Sequence, residues 1–494
     1  AQSKQKIDNA NAAFSALDAE LRVMVRSADL LTYANQNYYA LTTPAQFDEN
    51  NVVSNVWMLT DNHLETNDCT SYDDGSPQDR FEKAIGMICE RDADAILLGG
   101  DITDWARFDN TPDLSTAKRQ IGLFKSSMER AWNKEVALFF TMGNHDSSLG
   151  EEGTVREQLF YELLGNEYYA WDVNRDDPMW NTGFRHAVIG GFHYLTLSWD
   201  YADEYQNVTP EAVEWMARKL NEITSASDYD GAPIFFLSHV PFGNTVYGSE
   251  DMGERKHKFE LYDVMKQYPQ IVTLTGHSHY PLDNEKFIYQ SDFTHLGAAT
   301  TSYIDMPGEG FVTDGGYKIG GTLMPADLIQ SMGLRLEIDG SYNIRVTRID
   351  FLHDGRQMYE SVVIPAPDLK EKTHLNYFGE ARASRVATPA FAENSSVQAD
   401  YVSDKDTQVT FDTCTSEGVV QYYIIDFEHN DTVSTFKSYA AAWRYASNAD
   451  VPKSKTVFLE NFVPSKPYTV SVRAVDSFGN ESKAITARYV YNPT

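Results

Sequence analysis

The sequence predicts an α/β fold, a β-sandwich flanked by helices, with a separate all-β domain behind it, and three observations carry that prediction. Apolar runs of strand length alternate with amphipathic helical stretches between residues 51 and about 370. Five of those runs stop abruptly at a residue type that binds metals. After about residue 395 the helical period disappears, and short alternating strands recur between turn residues.

The elements follow in order. In residues 1–50, Phe14, Leu17, Leu21, Met24, Val25 and Leu30-Leu31 have helical spacing. The stretch covers too few heptads for a coiled coil, so it is expected to pack on the domain that follows. Val56-Trp57-Met58-Leu59-Thr60 then runs into Asp61-Asn62-His63, and Ala95-Ile96-Leu97-Leu98-Gly99-Gly100 into Asp101. Val136 to Gly143 runs into Asn144-His145-Asp146, Pro233 to Ser238 into His239, and Ile271 to Gly276 into His277-Ser278-His279. Runs this rich in Val, Ile, Leu and Phe read as buried strands. Ligands of open α/β sheets gather beyond the carboxyl ends of strands, so these distant residues should converge. Helices are expected near 79–91, 115–132, 154–164, 209–224 and 257–267, with Thr209 capping one and Pro210 at its first position. After 330, Leu334-Arg335-Leu336-Glu337-Ile338 and Tyr342-Asn343-Ile344-Arg345-Val346 alternate as half-buried strands.

The residues that converge are chemically selective. Two carboxylates, an asparagine amide and several imidazoles make a mixed oxygen and nitrogen donor set. Such a set suits Mn, Fe or Zn better than Ca or Mg, which prefer oxygen alone. There are ligands enough for two divalent ions if one carboxylate bridges them. Of the 12 histidines five fall in these blocks, and the other seven are read as packing residues, His295 being the least secure of them.

The order D-x-H, G-D, G-N-H-D, H and G-H-x-H resembles the calcineurin-like metallophosphoesterases, over roughly residues 55–305. The resemblance implies the four-layer αββα metallophosphoesterase sandwich over 51–370. It implies Asp61, His63 and His279 as ligands of one ion and Asn144, His239 and His277 of the other, with Asp101 bridging. His145 would act as general acid or orient the phosphate, supported by Asp146. The reaction implied is metal-dependent hydrolysis, with a metal-bridging hydroxide attacking phosphorus in line. Purple acid phosphatases share the pattern but place a tyrosine ligand three residues after the bridging aspartate; here that position is Asp104, so no tyrosinate–iron site is expected. Asp104 reads as a helix cap or a carboxylate supporting a ligand.

Composition narrows the substrate. With 41 basic and 72 acidic residues the formal charge is −31. Polynucleotide affinity comes from Lys and Arg neutralising phosphates, so a nucleic-acid polymer is an unsuitable partner and a small phosphoester a suitable one. Trp105 and Arg107, Phe242 and Asn244, and Tyr280 follow the ligands and are candidates to line the pocket, although aromatics beside a metal site more often pack. His239-Val240-Pro241-Phe242-Gly243 is faintly similar to acid-sphingomyelinase-like phosphodiesterases. A phosphodiesterase is therefore ranked above a phosphomonoesterase or nucleotidase. A surface-binding protein that keeps the fold as scaffold ranks below both, because a scaffold need not retain Asn144, His145 and His239.

Residues 395–494 end in Tyr468-Thr469-Val470-Ser471-Val472-Arg473-Ala474-Val475-Asp476 and a Gly479-Asn480 turn, and resemble a fibronectin type III domain. Ser438 to Ala449 reads as helical, which departs from a plain sandwich. Such modules accompany secretion or surface attachment in bacterial enzymes, so an extracytoplasmic location and a possible glycan or surface partner are expected. No stretch approaches the length of a membrane span. The chain opens without a basic-then-apolar leader, as a mature secreted chain or one without a signal would. Three cysteines make no disulfide framework, although Cys69 and Cys89 can pair.

Overall fold

The computed structural model describes residues 46–64, 75–104, 114–146, 153–169, 183–197, 208–252, 259–307, 330–375 and 386–490. Within the last range, 404, 415, 417–418, 446–449 and 465 are excepted; most of 2–25 and short pieces from 30 to 34 and from 310 to 324 are also described.

Two helices open the chain, α1 (Gln2–Ser15) and α2 (Ala19–Arg22). None of their described side chains is buried, so the expected seat on the core is not visible in them. The five apolar runs become β1 (Val52–Leu59), β2 (Ala95–Leu98), β3 (Ala137–Phe140), β6 (Ile234–Ser238) and β7 (Ile271–Thr275). They divide between two sheets. β1, β2 and β3 are parallel neighbours in a seven-stranded sheet. The late strands β13 (Met332–Asp339), β14 (Ile344–Asp350), β15 (Arg356–Gln357) and β16 (Val362–Ile364) complete that sheet, with β13 antiparallel to β1. The other sheet is six-stranded: β4 (Arg185–Ile189), β5 (Phe192–Thr196), β6, β7, then β9 (Thr294–Gly297) and β8 (Ile288–Gln290). Short strands β10 (Met306–Pro307), β11 (Tyr317–Ile319) and β12 (Thr322–Met324) form a small separate sheet.

Alternation along each strand decides the layers. Val56, Met58, Leu97 and Phe139 of one sheet face Tyr194, Phe235, Leu237 and Leu274 of the other in a common core. Their neighbours Trp57, Leu59, Ile96 and Phe140 point outward, onto α3 (Pro77–Cys89), α4 (Ser115–Ala131) and α5 (Gly153–Leu164). After the short α6 (Asn166–Tyr169), the other outer face is covered by α7 (Pro210–Ser225) and, beyond a single turn α8 (Ser249–Met252), by α9 (Phe259–Met265). Four layers, αββα, result. The caps are local chemistry. Ser76 and Asp79 form a reciprocal capping box ahead of α3, and the Thr209 side chain accepts from the Ala212 N–H before Pro210 starts α7.

The C-terminal part is a β-sandwich. One sheet orders β17 (Val397–Tyr401), β18 (Thr407–Asp412) and β21 (Ser454–Leu459); the facing sheet orders β20 (Thr432–Tyr439), β19 (Val420–His429), β22 (Tyr468–Asp476) and β23 (Ile485–Tyr489). Their inner faces meet at Val409, Phe411, Ile425, Phe427, Val457 and Val472. This three-plus-four arrangement is fibronectin type III-like. Asp476 closes the last turn, taking the Phe478 and Asn480 N–H groups at 2.9 Å each, with Gly479 at φ 85°. The expected helix from Ser438 does not form: Ser438 and Tyr439 finish β20, and only a 3₁₀ turn, Ala442–Arg444, follows. Apolar residues at helical spacing there serve a different contact, since Tyr439, Ala441 and Trp443 enter the core between the two sheets of the αββα domain. The end of that expected helix, 446–449, lies outside the described residues.

Candidate metal centre

Each of the five strand ends delivers its polar residues to one place between the two sheets. Asp61, His63, Asp101 and His279 offer ligand atoms within 4.8 Å of one another, as do Asp101, His239 and His277. Asn144 joins the second group, its Oδ1 lying 3.0 Å from His239 Nε2. These are the two sets implied by the resemblance, with Asp101 common to both. Asp61, His63, Asp101, His277 and His279 all hold left-handed backbone, at φ between 46° and 71°. That conformation is costly for residues with a Cβ and persists where the surroundings over-determine it. Glycines permit the crowding: a Cβ on Gly143 would overlap Asp101, and one on Gly276 would overlap Thr60.

Hydrogen bonds aim the donor atoms inward. His279 Nδ1 lies 3.1 Å from the Tyr303 carbonyl and His239 Nδ1 2.8 Å from the Gly99 carbonyl. Each Nδ1–H therefore donates outward and Nε2 carries the lone pair when the ring is neutral. His63 Nδ1 lies 3.4 Å from Asp104. His63 Nε2 and His279 Nε2 then stand only 3.1 Å apart. Asp61 spends Oδ2 on the Thr60 hydroxyl and the His277 N–H, at 2.7 and 2.9 Å. Its Oδ1 shares the His277 N–H, at 3.2 Å, and lies 2.9 Å from His279 Nε2. Asp101 Oδ1 takes the His145 N–H at 2.8 Å. Its Oδ2 is buried without an aligned hydrogen bond, 3.2 Å from His239 Nε2 and 3.8 Å from His63 Nε2. Converging nitrogen lone pairs and an orphaned carboxylate oxygen between them fit divalent cations.

The buried acids and imidazoles shift one another strongly. Burial alone would raise Asp61, but His279 and His239 outweigh it and lower it to about 2; Asp101 is held well below the usual range in the same way, by His239 and His145. Burial would likewise depress His239 and His279, yet Asp101 and Asp61 lift each to about 9. His277 is pushed down to about 3 by burial and by His239. A protonated imidazole cannot ligate, so each ion must displace one proton, from His279 in one set and His239 in the other. Protons compete more strongly as pH falls. The apparent affinity of each set should therefore rise about tenfold per pH unit between roughly pH 6 and 9, flattening above. Calorimetric Mn²⁺ titrations in buffers of different ionisation enthalpy should show about one proton released per ion; a binding heat independent of buffer would contradict this.

Two carboxylates divide the supporting work differently from expectation. Asp146 does not take up the place beside His145. Its oxygens accept from the Ile102, Thr103 and Gly143 N–H groups and the Thr103 hydroxyl, at 2.7 to 3.2 Å, and so tie the loop after β2 to the loop after β3. Its acid is raised to about 6 by burial and by Asp101. Asp104 supports His145 instead, with Oδ1 2.9 Å from His145 Nδ1. Burial would raise Asp104, but its bonds to His145 and His63 lower it to about 2. Tyr303 was not singled out by any motif. Its ring lies 4.4 Å from that of His279 and 5.0 Å from that of His63, at the edge of the centre.

The substrate candidates fare unevenly. Phe242 is 5% exposed and packs edge-on to Tyr262, Phe293 and His295, so it supports the core. Tyr280 is 3% exposed against Tyr247. Asn244 is exposed in a turn at φ 58°. Trp105 and Arg107 lie outside the described residues, as does Cys69 and with it the Cys69–Cys89 pairing. His295 is a buried core residue, its Nδ1 3.1 Å from the Thr273 hydroxyl.

This chain carries a calcineurin-like phosphoesterase domain: residues 54–281 match that family's model. It is accordingly a binuclear metallophosphoesterase, a hydrolase of phosphoesters, and the family implies two divalent metal ions. Among solved structures it is similar to a dimetal phosphatase from Danio rerio, at 11% identity over 64% of this chain and 99% of that one, with a TM-score of 0.39. It is also similar to a purple acid phosphatase from yellow lupin (Lupinus luteus) seeds, at 16% identity over 63% of this chain and 53% of that one, with a TM-score of 0.38. A two-domain fibronectin type III segment of chicken tenascin matches at 11% identity over 39% of this chain and 96% of that one, with a TM-score of 0.16. No curated protein matches the sequence.

Proposed function

We propose that this phosphoesterase domain is a phosphodiesterase acting on a small, singly charged phosphate diester. The observation that supports the diester is the charge around the centre. Two divalent ions, of Mn, Fe or Zn, would be held by Asp61, His63, His279 and Asp101 on one side and by Asp101, Asn144, His239 and His277 on the other. When bound they would supply Lewis-acid stabilisation of the phosphoryl oxygens and a nucleophile at neutral pH. Their four positive charges meet three ionised carboxylates, Asp61, Asp101 and Asp104, and the charge of a hydroxide nucleophile, which leaves the centre about neutral. A centre without surplus positive charge undercompensates a monoester dianion more than a diester monoanion.

The chain's own residues do the rest. Asp104 holds the His145 Nδ1–H, so Nε2 is the ring atom that exchanges a proton with the substrate. On ester cleavage His145 gives that proton to the departing alkoxide, and Asp104 stabilises the ring while it is charged. Asp146 keeps the loops bearing Asp101 and His145 in register. An extracytoplasmic location belongs to the same reading, supported by the fibronectin type III-like module; no described helix is long and apolar enough to cross a membrane.

Hydrolysis of bis-p-nitrophenyl phosphate and p-nitrophenyl phosphate, on protein stripped of metal and reloaded with Mn²⁺, tests the proposal. A diester kcat/KM at least about tenfold the monoester value is expected. Monoester preference would overturn it and redirect the search to nucleotides and sugar phosphates. Silence on both esters with two ions bound would favour the scaffold reading.

A further inference from the structure

The C-terminal module shares a core with the catalytic domain. Tyr439, Ala441 and Trp443 are buried in the apolar cluster that fills the space between the two catalytic sheets, Trp443 being 1% exposed. Phe311 stacks on Tyr439 with ring centroids 4.0 Å apart and planes within 7°. Beside that stack the Lys437 N–H donates to the Gly310 carbonyl and the Val312 N–H to the Lys437 carbonyl, at 2.8 Å each.

A link leaves this interface and ends at Ser278 and Tyr280, the residues that flank the ligand histidines. Gln421 of β19 is 5% exposed and satisfied by catalytic-domain partners at both ends of its amide. Its Nε2 donates to the Tyr247 hydroxyl at 3.0 Å, and its Oε1 accepts from Asn284 Nδ2 at 3.0 Å. Tyr247 lies in the loop that follows His239. Its ring meets that of Tyr280 edge-on at 4.9 Å, and its carbonyl accepts from the Ser278 hydroxyl at 3.3 Å. Ser278 sits between the two ligand histidines, and Tyr280 follows the second. The contact has no slack: a Cβ on neighbouring Gly248 would come within 2.7 Å of Ser278 Cβ and 2.8 Å of the Tyr280 ring. His277 and His279, at φ 71° and 56°, hold backbone that persists only under such support.

We infer that Gln421 and Tyr247 are positioning residues, through which the C-terminal module holds the His277–His279 loop in metal-binding geometry. The module is then a working part of the hydrolase, in addition to whatever surface it engages. This role is independent of whether the substrate is a diester or a monoester.

Gln421→Ala and Tyr247→Phe in the full chain test it, since both leave the Trp443 anchor in place. Mn²⁺ affinity, read from free Mn²⁺ by EPR, should weaken about 10- to 100-fold in each, as for other groups that orient metal ligands. On whichever ester the wild type turns over, kcat should fall with KM changed less than about twofold. Combining the two substitutions should cost less than the sum of their separate effects, because both break the Gln421–Tyr247 bond. A purely structural role would lower the melting temperature of the metal-free protein and leave Mn²⁺ affinity within about twofold of wild type. That outcome, in the Tyr247→Phe protein above all, would overturn the inference.

Discussion

Replacing Asp101 with asparagine is expected to lower turnover at least about 10³-fold. The substitution keeps the shape, and it keeps the Oδ1 acceptor for the His145 N–H. It removes the negative charge whose Oδ2 lies between the two ligand sets, 3.2 Å from His239 Nε2 and 3.8 Å from His63 Nε2. Removing one preorganised electrostatic group from a reacting centre costs about 10² to 10³ in kcat. Asp101 serves both sets at once, so the upper end or beyond is the appropriate expectation. The metal-free protein should report the change as well. His239 is lifted to about 9 chiefly because Asp101 opposes the effect of burial. Without that carboxylate the imidazole should lose its proton at lower pH, which can be followed by the pH titration of its ring resonances. Metal content by elemental analysis and ester turnover, measured together, decide the case. A variant that retains two ions and a tenth of the wild-type activity would remove Asp101 from the centre.

His145→Ala is expected to lower turnover by about 10²- to 10⁴-fold while leaving both ions bound, since the two ligand sets implied for the ions do not include His145, which groups with His63 and Asp104 instead. A general acid matters most when the leaving group is a poor one. The loss should therefore be smallest for p-nitrophenyl esters and grow for phenyl and then alkyl esters of the same phosphate. A loss independent of leaving group would assign His145 to orienting the phosphate, and loss of metal would show it to be a ligand or its support. Asp104→Asn should give a milder version of the same pattern, about 10- to 100-fold, because Asp104 acts through the ring it holds 2.9 Å away.

Much of this site is legible from the chain because strand ends are local events. An apolar run long enough to be buried, broken by a residue that must be solvated or ligated, marks both the strand and the group it presents. Asp61, His63, Asp101, Asn144, His239, His277 and His279 were found that way, and helix α7 was found from its Thr209 cap and apolar spacing. Asp104 reads from sequence as either a helix cap or a supporting carboxylate, and only the fold sets it against His145. Asp146, adjacent to His145 in sequence, turns to backbone amides of another loop, because a buried carboxylate takes the donors nearest in space. Phe242 and Tyr280 follow ligands in sequence yet are buried, Phe242 in an apolar cluster and Tyr280 against the Tyr247 ring, for alternation in an extended or turning chain sends neighbours to opposite sides.

By itself, then, the sequence determined the elements, their order and the donor chemistry, because these depend on the period and type of neighbouring residues. Tertiary structure alone decided which strands share a sheet, and that β13 pairs with β1 from across nearly three hundred residues. It also decided that Tyr303 borders the metal centre, and that the segment after Ser438 ends a strand instead of forming a helix. In that segment local spacing favours a helix, but Tyr439 and Trp443 gain more by burial in a core built from distant residues. Burial between surfaces far apart in the chain is the one term that local sequence does not contain.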